Sequence, residues 1–164
     1  MSPMLSPDQN QRLKSAAQSA VACERATDLP AELTVAQWAL ESNWGTHQPG
    51  NNCFGIKAYE GCYGVQLLQS TEVINGVRTP VIEKFATFPT LDACFAKHAN
   101  LFTTGKPYAQ AWAAYRLSHD LHTFICEIAH VYATDPNYAN ILLQILAMPE
   151  VKMALAAARA TIPA

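Results

Sequence analysis

Residues 31–45 read AELTVAQWALESNWG, and this stretch decides how the rest of the chain is interpreted. Its apolar residues recur at helical spacing, which predicts a helix over about 31–44. Gly45 is a typical residue for the end of a helix. The pattern therefore places one carboxyl group, that of Glu41, in the last turn of an otherwise apolar helix.

This carboxyl group is a candidate general acid. Burial beside Trp38 and Trp44 would disfavour its charged form, and so would the negative end of the helix dipole. Both effects raise a carboxyl pKa, and a glycosidase needs a carboxyl group that is protonated near neutral pH. On the helix pattern alone, however, a solvated glutamate near a helix end is the simpler interpretation of Glu41.

On either side of this helix the sequence predicts a second helix and a small β-structure. A serine cap followed by a proline marks the start of a helix over about 7–23. From 65 to 88 the chain is rich in β-branched and aromatic residues, and Asn75-Gly76 predicts a hairpin turn there. A third short strand is expected near 54–58.

After residue 89 the sequence returns to helical patterns. Proline, glycine and capping residues bound five predicted helices, over about 91–102, 108–115, 118–132, 137–147 and 150–160. Together these patterns predict an α+β fold that is mostly helical. The length of 164 residues fits one domain, 1–164, with its motif-bearing core at about 31–148.

Composition narrows the class of partner. The chain has 11 Lys plus Arg against 13 Asp plus Glu and no basic run, so a nucleic-acid partner is not expected. No apolar run approaches the roughly 20 residues that cross a bilayer. The first residues lack the apolar segment of a secretory signal.

Metal and thiol chemistry have little support in the sequence. His119 and His122 are the one closely spaced histidine pair, and no HExxH motif occurs, so no metal or other cofactor is expected. The five cysteines form no CxxC. Cys53 and Cys62 flank a short glycine-containing loop, which leaves either a local disulfide or two free thiols open.

Glycosidases usually need a second carboxylate. Glu72 on the predicted hairpin is the best placed, with Glu60 and Glu83 as alternatives. A hairpin that packs opposite the helix would present Glu72 across a cleft from Glu41. Taken alone, Glu72 is more simply interpreted as a solvent-facing strand residue.

Three motifs in order resemble glycoside hydrolase family 73, the bacterial glucosaminidases. The first is ALESNWG at 39–45, followed by NNCFGIK at 51–57. The second is STEVING at 70–76 with EKF after it, and the third is YATDPNYA at 132–139. The resemblance covers about 33–146 in the order of the family.

The resemblance implies a lysozyme-like fold, with a helical lobe and a small antiparallel hairpin lobe on either side of a groove. It also implies an endo-β-N-acetylglucosaminidase that cleaves the GlcNAc-β-1,4-MurNAc bond of peptidoglycan. Glu41 takes the place of the general acid, Glu72 that of the hairpin glutamate, and Tyr132 that of a groove-lining tyrosine. The segment that shapes the sugar site corresponds to Asn52, Phe54 and Lys57.

Aromatic faces stack on pyranose rings, so exposed aromatic residues near the motifs are candidate sugar platforms. These are Trp44, Phe54, Tyr132 and Tyr138, although a place in the core is as good an interpretation of Phe54. A Cys53–Cys62 disulfide would stiffen the groove edge and favour an oxidising place of action.

Several alternatives stay open at this point. Glu72 activates a water with inversion, or the 2-acetamido group of the substrate attacks with retention. A muramidase or lytic transglycosylase would use the same scaffold, and a non-catalytic peptidoglycan-binding module is the alternative outside enzymes. We expect a monomer that acts in the periplasm or cell wall after delivery by a secretion system, flagellar export or phage lysis. A toxin role would require an immunity or inhibitor protein in the groove.

Overall fold

The computed structural model describes residues 4–164, and it confirms the mostly helical α+β architecture. The helices are α1 (Pro7–Thr27), α2 (Ala31–Glu41), α3 (Leu91–Thr104), α4 (Ala109–Ser118), α5 (Leu121–Tyr132), α6 (Tyr138–Ala147) and α7 (Pro149–Thr161). The strands are β1 (Gly64–Ile74) and β2 (Val77–Thr87). Two short 3₁₀ turns lie at Pro49–Asn51 and Lys106–Tyr108.

Helix α2 lies at the centre of the molecule and joins two clusters of buried side chains. One cluster packs α2 against α1, α3 and α7 through residues such as Trp38 and Phe95. The other packs α2 against α3, α5 and α6 through residues such as Leu33 and Phe102. Because both clusters share α2, the helix that carries Glu41 is fixed on most of its sides.

Helix α2 ends at Glu41, three residues earlier than predicted. The Ser42 hydroxyl donates to the Trp38 carbonyl at 2.5 Å and accepts from the Gly45 amide at 2.8 Å, so the chain turns immediately after the helix. The turn requires glycine at position 45, because φ is +77° and a Cβ atom would lie 2.9 Å from the Trp38 ring. Glu41 therefore stands at the open end of the helix.

The predicted hairpin is confirmed and is longer than expected, with eleven residues in each strand. Asn75 and Gly76 both have positive φ, as a two-residue type I′ turn requires. Side chains alternate between an inner face, which contains Leu68 and Ser70, and a solvent face. The third strand is reduced to a single bridge between Lys57 and the β2 strand.

Two further helix boundaries differ from the prediction because of local capping interactions. Helix α1 continues to Thr27 and ends where Asp28 adopts a left-handed conformation with φ 65°. Ser118 does not cap α5, since it is the last residue of α4, and Asp120 accepts from the Thr123 amide at 3.1 Å instead. In the part of the chain that the structure describes, no single helix is long and apolar enough to cross a membrane. Helices α6 and α7 taken together have the length and composition of a span, but they are bent by 69° where they meet.

Of the two possibilities for Cys53 and Cys62, the disulfide is not formed, and both thiols are free. Cys53 turns into the core, where its side chain meets Cys94 of α3 and its Sγ atom lies 3.5 Å from Gln48 Oε1. Cys62 is only half-buried at the edge of the same cluster. Tertiary packing thus gives Cys53 a long-range neighbour instead of the local one that sequence spacing suggested.

Candidate active site

Glu41 faces a cavity of about 410 Å³ between the end of α2 and the inner face of the hairpin. This volume lies within the range of about 300–1,000 Å³ that small-molecule sites occupy. The cavity is lined by one carboxyl group, loop residues after α2 and hairpin residues: Glu41, His47, Pro49, Asn52, Cys53, Gly55, Leu68, Gln69, Ser70 and Phe85.

The Glu41 side chain is exposed at the cavity, and the surrounding protein removes part of the water from around its carboxyl group. Its Oε1 atom accepts a hydrogen bond from the Tyr138 hydroxyl at 2.9 Å. Desolvation by the surrounding protein raises the pKa of Glu41, and the hydrogen bond from Tyr138 opposes that rise. The predicted direction of the shift is therefore found, and burial is its main cause.

Two tyrosines lie near Glu41. Tyr132 is the last residue of α5 and Tyr138 is the first of α6, and their rings stack with centroids 5.7 Å apart. Burial, together with the nearby Glu41 charge, raises the pKa of both phenols well above the ordinary tyrosine value. Both hydroxyl groups therefore stay protonated and are able to donate hydrogen bonds.

Asn52 fixes the loop that follows α2 to the base of the hairpin. Its amide group donates to the carbonyls of Ile56 and Ala86, each at 2.9 Å, and its Oδ1 atom accepts from the Ile56 amide at 3.0 Å. Its side chain is buried, and it also lines the cavity. The structure thus gives Asn52 a bracing role at the edge of the site.

The charged groups of the hairpin form an ion-paired cluster around Lys57. Its ammonium group pairs with Glu83 and lies 3.9 Å from Glu72. Glu72 remains half-exposed on the inner face, whereas the Glu83 side chain is only 15% exposed. Of the two carboxylates, Glu72 is the more exposed to solvent.

Two predicted sugar platforms are placed elsewhere. Phe54 is buried and stacks on His98 of α3, with ring centroids 3.8 Å apart, so it belongs to the core. Trp44 packs edge-on against Trp38 at 6.2 Å and lies outside the set of residues that line the cavity. The structure therefore places Tyr132 and Tyr138 near Glu41 and Asn52 in the cavity lining, and neither tyrosine is among the residues that line that cavity.

Sequence patterns missed a buried polar pair behind the site. Gln37 lies one helical turn before Glu41 and donates to the Tyr138 hydroxyl at 3.2 Å. Its Oε1 atom lies 2.6 Å from His98 Nε2. The one sequence signal for this pair is a polar glutamine on an otherwise apolar helix face.

The reactive groups near Glu41 are carboxyl and hydroxyl groups. Within residues 4–164, no three His, Cys, Asp or Glu side chains are grouped so as to hold a metal ion. A partly desolvated carboxyl group at the end of a central helix, opposite a β-hairpin, is suited to donate a proton to a glycosidic oxygen. Fold and site together define the class of lysozyme-like glycoside hydrolases.

Within that class, the chain belongs to the Glucosaminidase family, glycoside hydrolase family 73, as the motifs predicted. The family profile, described as mannosyl-glycoprotein endo-beta-N-acetylglucosaminidase, matches residues 17–150. The matched region begins within α1 and ends at the start of α7. It therefore includes every residue of the site described above.

Three curated relatives show which proteins carry this domain. A probable N-acetylmuramidase of Lactococcus lactis is 32% identical, over 82% of this chain and 32% of its own length. The exo-glucosaminidase LytG of Bacillus subtilis is 32% identical, over 66% of this chain and 40% of its own length. The peptidoglycan hydrolase FlgJ of Salmonella typhimurium is 33% identical, over 74% of this chain and 42% of its own length. The chain thus spans about a third to two fifths of the length of these relatives.

Solved structures agree with the family. A peptidoglycan hydrolase mutant from Sphingomonas sp. A1 matches with a TM-score of 0.73 and 27% identity, over 90% of this chain and 99% of that one. The glycoside hydrolase domain of Salmonella typhimurium FlgJ, truncated at its C-terminus, matches with a TM-score of 0.67 and 27% identity, over 90% and 98%. The described fold is thus shared with nearly the full length of these two solved chains.

Proposed function

We propose that this domain hydrolyses the glycan strands of peptidoglycan as an endo-β-N-acetylglucosaminidase, with Glu41 as general acid. The observation that carries the proposal is the Glu41 carboxyl group, which has a raised pKa and faces an open cavity beside two tyrosines. The family profile and the glucosaminidase name of one relative support glucosaminidase activity. The cell wall is accordingly the proposed place of action.

In the first step, Glu41 transfers its proton to the glycosidic oxygen as the bond from C1 to that oxygen breaks. Positive charge develops on the sugar ring, as in an oxocarbenium ion. A water molecule then adds to C1 and gives up a proton to the second carboxylate, which completes hydrolysis. Tyr138 keeps the Glu41 carboxyl group oriented through its hydrogen bond while the proton leaves.

Glu72 is the proposed second carboxylate. It lies on the inner face two residues beyond Ser70, about 7 Å further toward the hairpin tip at ordinary strand spacing. A carboxylate at the rim, and not in contact with Glu41, leaves room for a sugar and a water between them. This arrangement favours water activation by Glu72 over direct attack on C1.

A second candidate function is muramidase activity, because a relative at 32% identity is called a probable N-acetylmuramidase. Digestion of purified peptidoglycan, borohydride reduction and mass spectrometry separate the two reactions. Reduced GlcNAc ends support the glucosaminidase, and reduced muramic ends support the muramidase. Anhydromuramic ends would indicate a lytic transglycosylase. A non-catalytic binding module would retain glycan binding and release no fragments.

We predict that Tyr138→Phe moves the basic limb of the pH–activity profile to higher pH. Glu41 acts only when protonated, so activity falls as pH rises through its pKa. The hydrogen bond from Tyr138 stabilises the charged carboxylate and lowers the pKa of Glu41. Loss of this hydrogen bond therefore raises the pKa of Glu41. The profile of kcat/KM against pH checks this, with Tyr108→Phe as the control, since Tyr108 is a buried tyrosine that is not bonded to Glu41. A downward shift in Tyr138→Phe would contradict the prediction.

We predict that Glu72→Gln lowers kcat by about 10²-fold or more, the usual contribution of a positioned acid or base. Glu60→Gln, a change of an exposed loop glutamate, should leave kcat unchanged. Glu83→Gln should have a small effect, because Glu83 is occupied by its ion pair with Lys57. A loss in Glu83→Gln with full activity in Glu72→Gln would move the second role to Glu83.

A further inference from the structure

A chain of hydrogen bonds leads from the protein interior to the proposed acid. It starts at His98 Nε2, which lies 2.6 Å from Gln37 Oε1. It continues from Gln37 Nε2 to the Tyr138 hydroxyl at 3.2 Å, and from that hydroxyl to Glu41 Oε1 at 2.9 Å. The chain links helices α3, α2 and α6, and its first two members are buried.

The donors and acceptors of this chain are fixed by its first member. An amide oxygen only accepts, so His98 Nε2 carries the proton when Gln37 Oε1 faces it. The Gln37 amino group then has to donate to the Tyr138 oxygen. The Tyr138 proton is thereby left to point at Glu41.

The opposite orientation of Gln37 is disfavoured by the surroundings of His98. A flipped amide would donate to Nε2 and force the imidazole proton onto Nδ1. Nδ1 is buried and has no hydrogen-bond partner among the described residues, so this tautomer would place an unpaired N–H group in the core. Unpaired buried N–H groups are rarer in proteins than unpaired acceptors.

The ring of His98 is held in place by aromatic neighbours. Phe54 stacks on the imidazole with ring centroids 3.8 Å apart, and Phe102 packs edge-on with ring centroids 4.9 Å apart. Neither phenyl ring carries a charge. Burial lowers the pKa of His98 to about 3, so the imidazole stays neutral at working pH. A neutral imidazole has one N–H group, and here that group has one acceptor.

We infer that His98 is a positioning residue, whose Nε2–H group orients the Gln37 amide and so keeps Tyr138 as the hydrogen-bond donor to Glu41. This inference rests on the proposed role of Glu41 as the general acid for its catalytic meaning. His98 touches neither the cavity nor Glu41 and acts through two intermediates. The consequence is that a residue of α3 sets the protonation of a carboxyl group at the end of α2.

Other titratable groups at the cavity must stay constant in a test of this inference. They come from the loop after α2, from α5 and from the hairpin, and they are His47, Cys53, Lys57, Tyr132, Glu72 and Glu83. None of them is altered in the variants below. A change in the Glu41 pKa between variants therefore reports on the chain from His98.

The test is to measure the Glu41 pKa directly, by NMR titration of the ¹³C-labelled side-chain carboxyl group. His98→Leu removes the donor, so Gln37 becomes free to turn and accept the Tyr138 proton. We expect its Glu41 pKa to shift upward by as much as in Tyr138→Phe. His98→Gln retains a side-chain N–H group and should restore part of the wild-type value. In the double variant His98→Leu, Tyr138→Phe, we expect no further shift beyond that of Tyr138→Phe.

A purely structural role for His98 predicts a different result. It would lower thermal stability in His98→Leu while leaving the Glu41 pKa unchanged, and that outcome would overturn the inference. The imidazole ¹⁵N spectrum of the wild-type protein gives a second test, independent of whether His98→Leu folds. A protonated Nε2 is expected, and a protonated Nδ1 would equally overturn the inference. Neither measurement depends on hydrolytic activity. Failure of the proposed function is therefore distinguishable from failure of the inference about His98.

Discussion

Glu41→Gln is expected to lower the rate of peptidoglycan hydrolysis by about 10²–10⁴-fold, the range that a positioned general acid contributes. Glutamine has nearly the same shape but holds no transferable proton, so the leaving oxygen would depart unprotonated. Its amide oxygen is still able to accept the hydrogen bond from Tyr138, so the site should keep its geometry. Release of soluble fragments from purified peptidoglycan, with mass spectrometry of the reduced ends, measures the loss.

The matched control is Glu127→Gln, which changes an exposed glutamate on α5 in the same way. Its activity should equal that of the wild type, and both variants should unfold at the wild-type temperature. Binding of Glu41→Gln to insoluble peptidoglycan should persist, because the cavity is unchanged. Full activity in Glu41→Gln would exclude Glu41 as the acid, and inactivity of the wild type would favour a binding module.

Leu33→Ala is expected to lower the free energy of unfolding by about 3 kcal/mol, within the range for buried leucines. Leu33 is 0% exposed and lies on α2, where it packs in the cluster shared with Phe102 and Leu142. The substitution leaves a cavity that the surrounding helices cannot fully close. Urea denaturation measures the loss, and the melting temperature should fall by roughly 6–12 °C for a domain of this size.

Leu117→Ala is the matched control, because it makes the same chemical change where the side chain is 88% exposed. It should alter stability by no more than about 0.5 kcal/mol. Equal losses in the two variants would show that burial on α2 is not what holds the domain together. Leu33→Ala should retain hydrolytic activity at temperatures where it is folded, since Leu33 does not line the cavity.

Local signals predicted most of the fold because they act over a few residues. Asn75-Gly76 predicted the hairpin turn, since few other residue pairs adopt positive φ twice in succession. The apolar periodicity of α2 predicted a buried helix, and the structure shows one. Its end was misplaced, however, because Ser42 caps it through bonds that the periodicity does not encode.

Contacts between distant residues were beyond the reach of the same signals. Spacing suggested that Cys53 pairs with Cys62, but the packing of α3 places Cys94 beside it. Phe54 was an equally good candidate for the core or for a sugar platform, and its stacking on His98 places it in the core. Each outcome depends on which helices pack together, which no local pattern states.

The sequence by itself determined the family, the helical and hairpin segments, and the identity of Glu41 as the candidate acid, because motif order and periodicity are properties of the chain. Only the tertiary structure decided what surrounds that acid. Gln37 and His98 are 61 residues apart, and Tyr138 and Glu41 are 97 apart, yet they form one line of hydrogen bonds. The pKa of a carboxyl group depends on burial and on the direction of nearby donors, and both are set by helices that meet only in the folded domain.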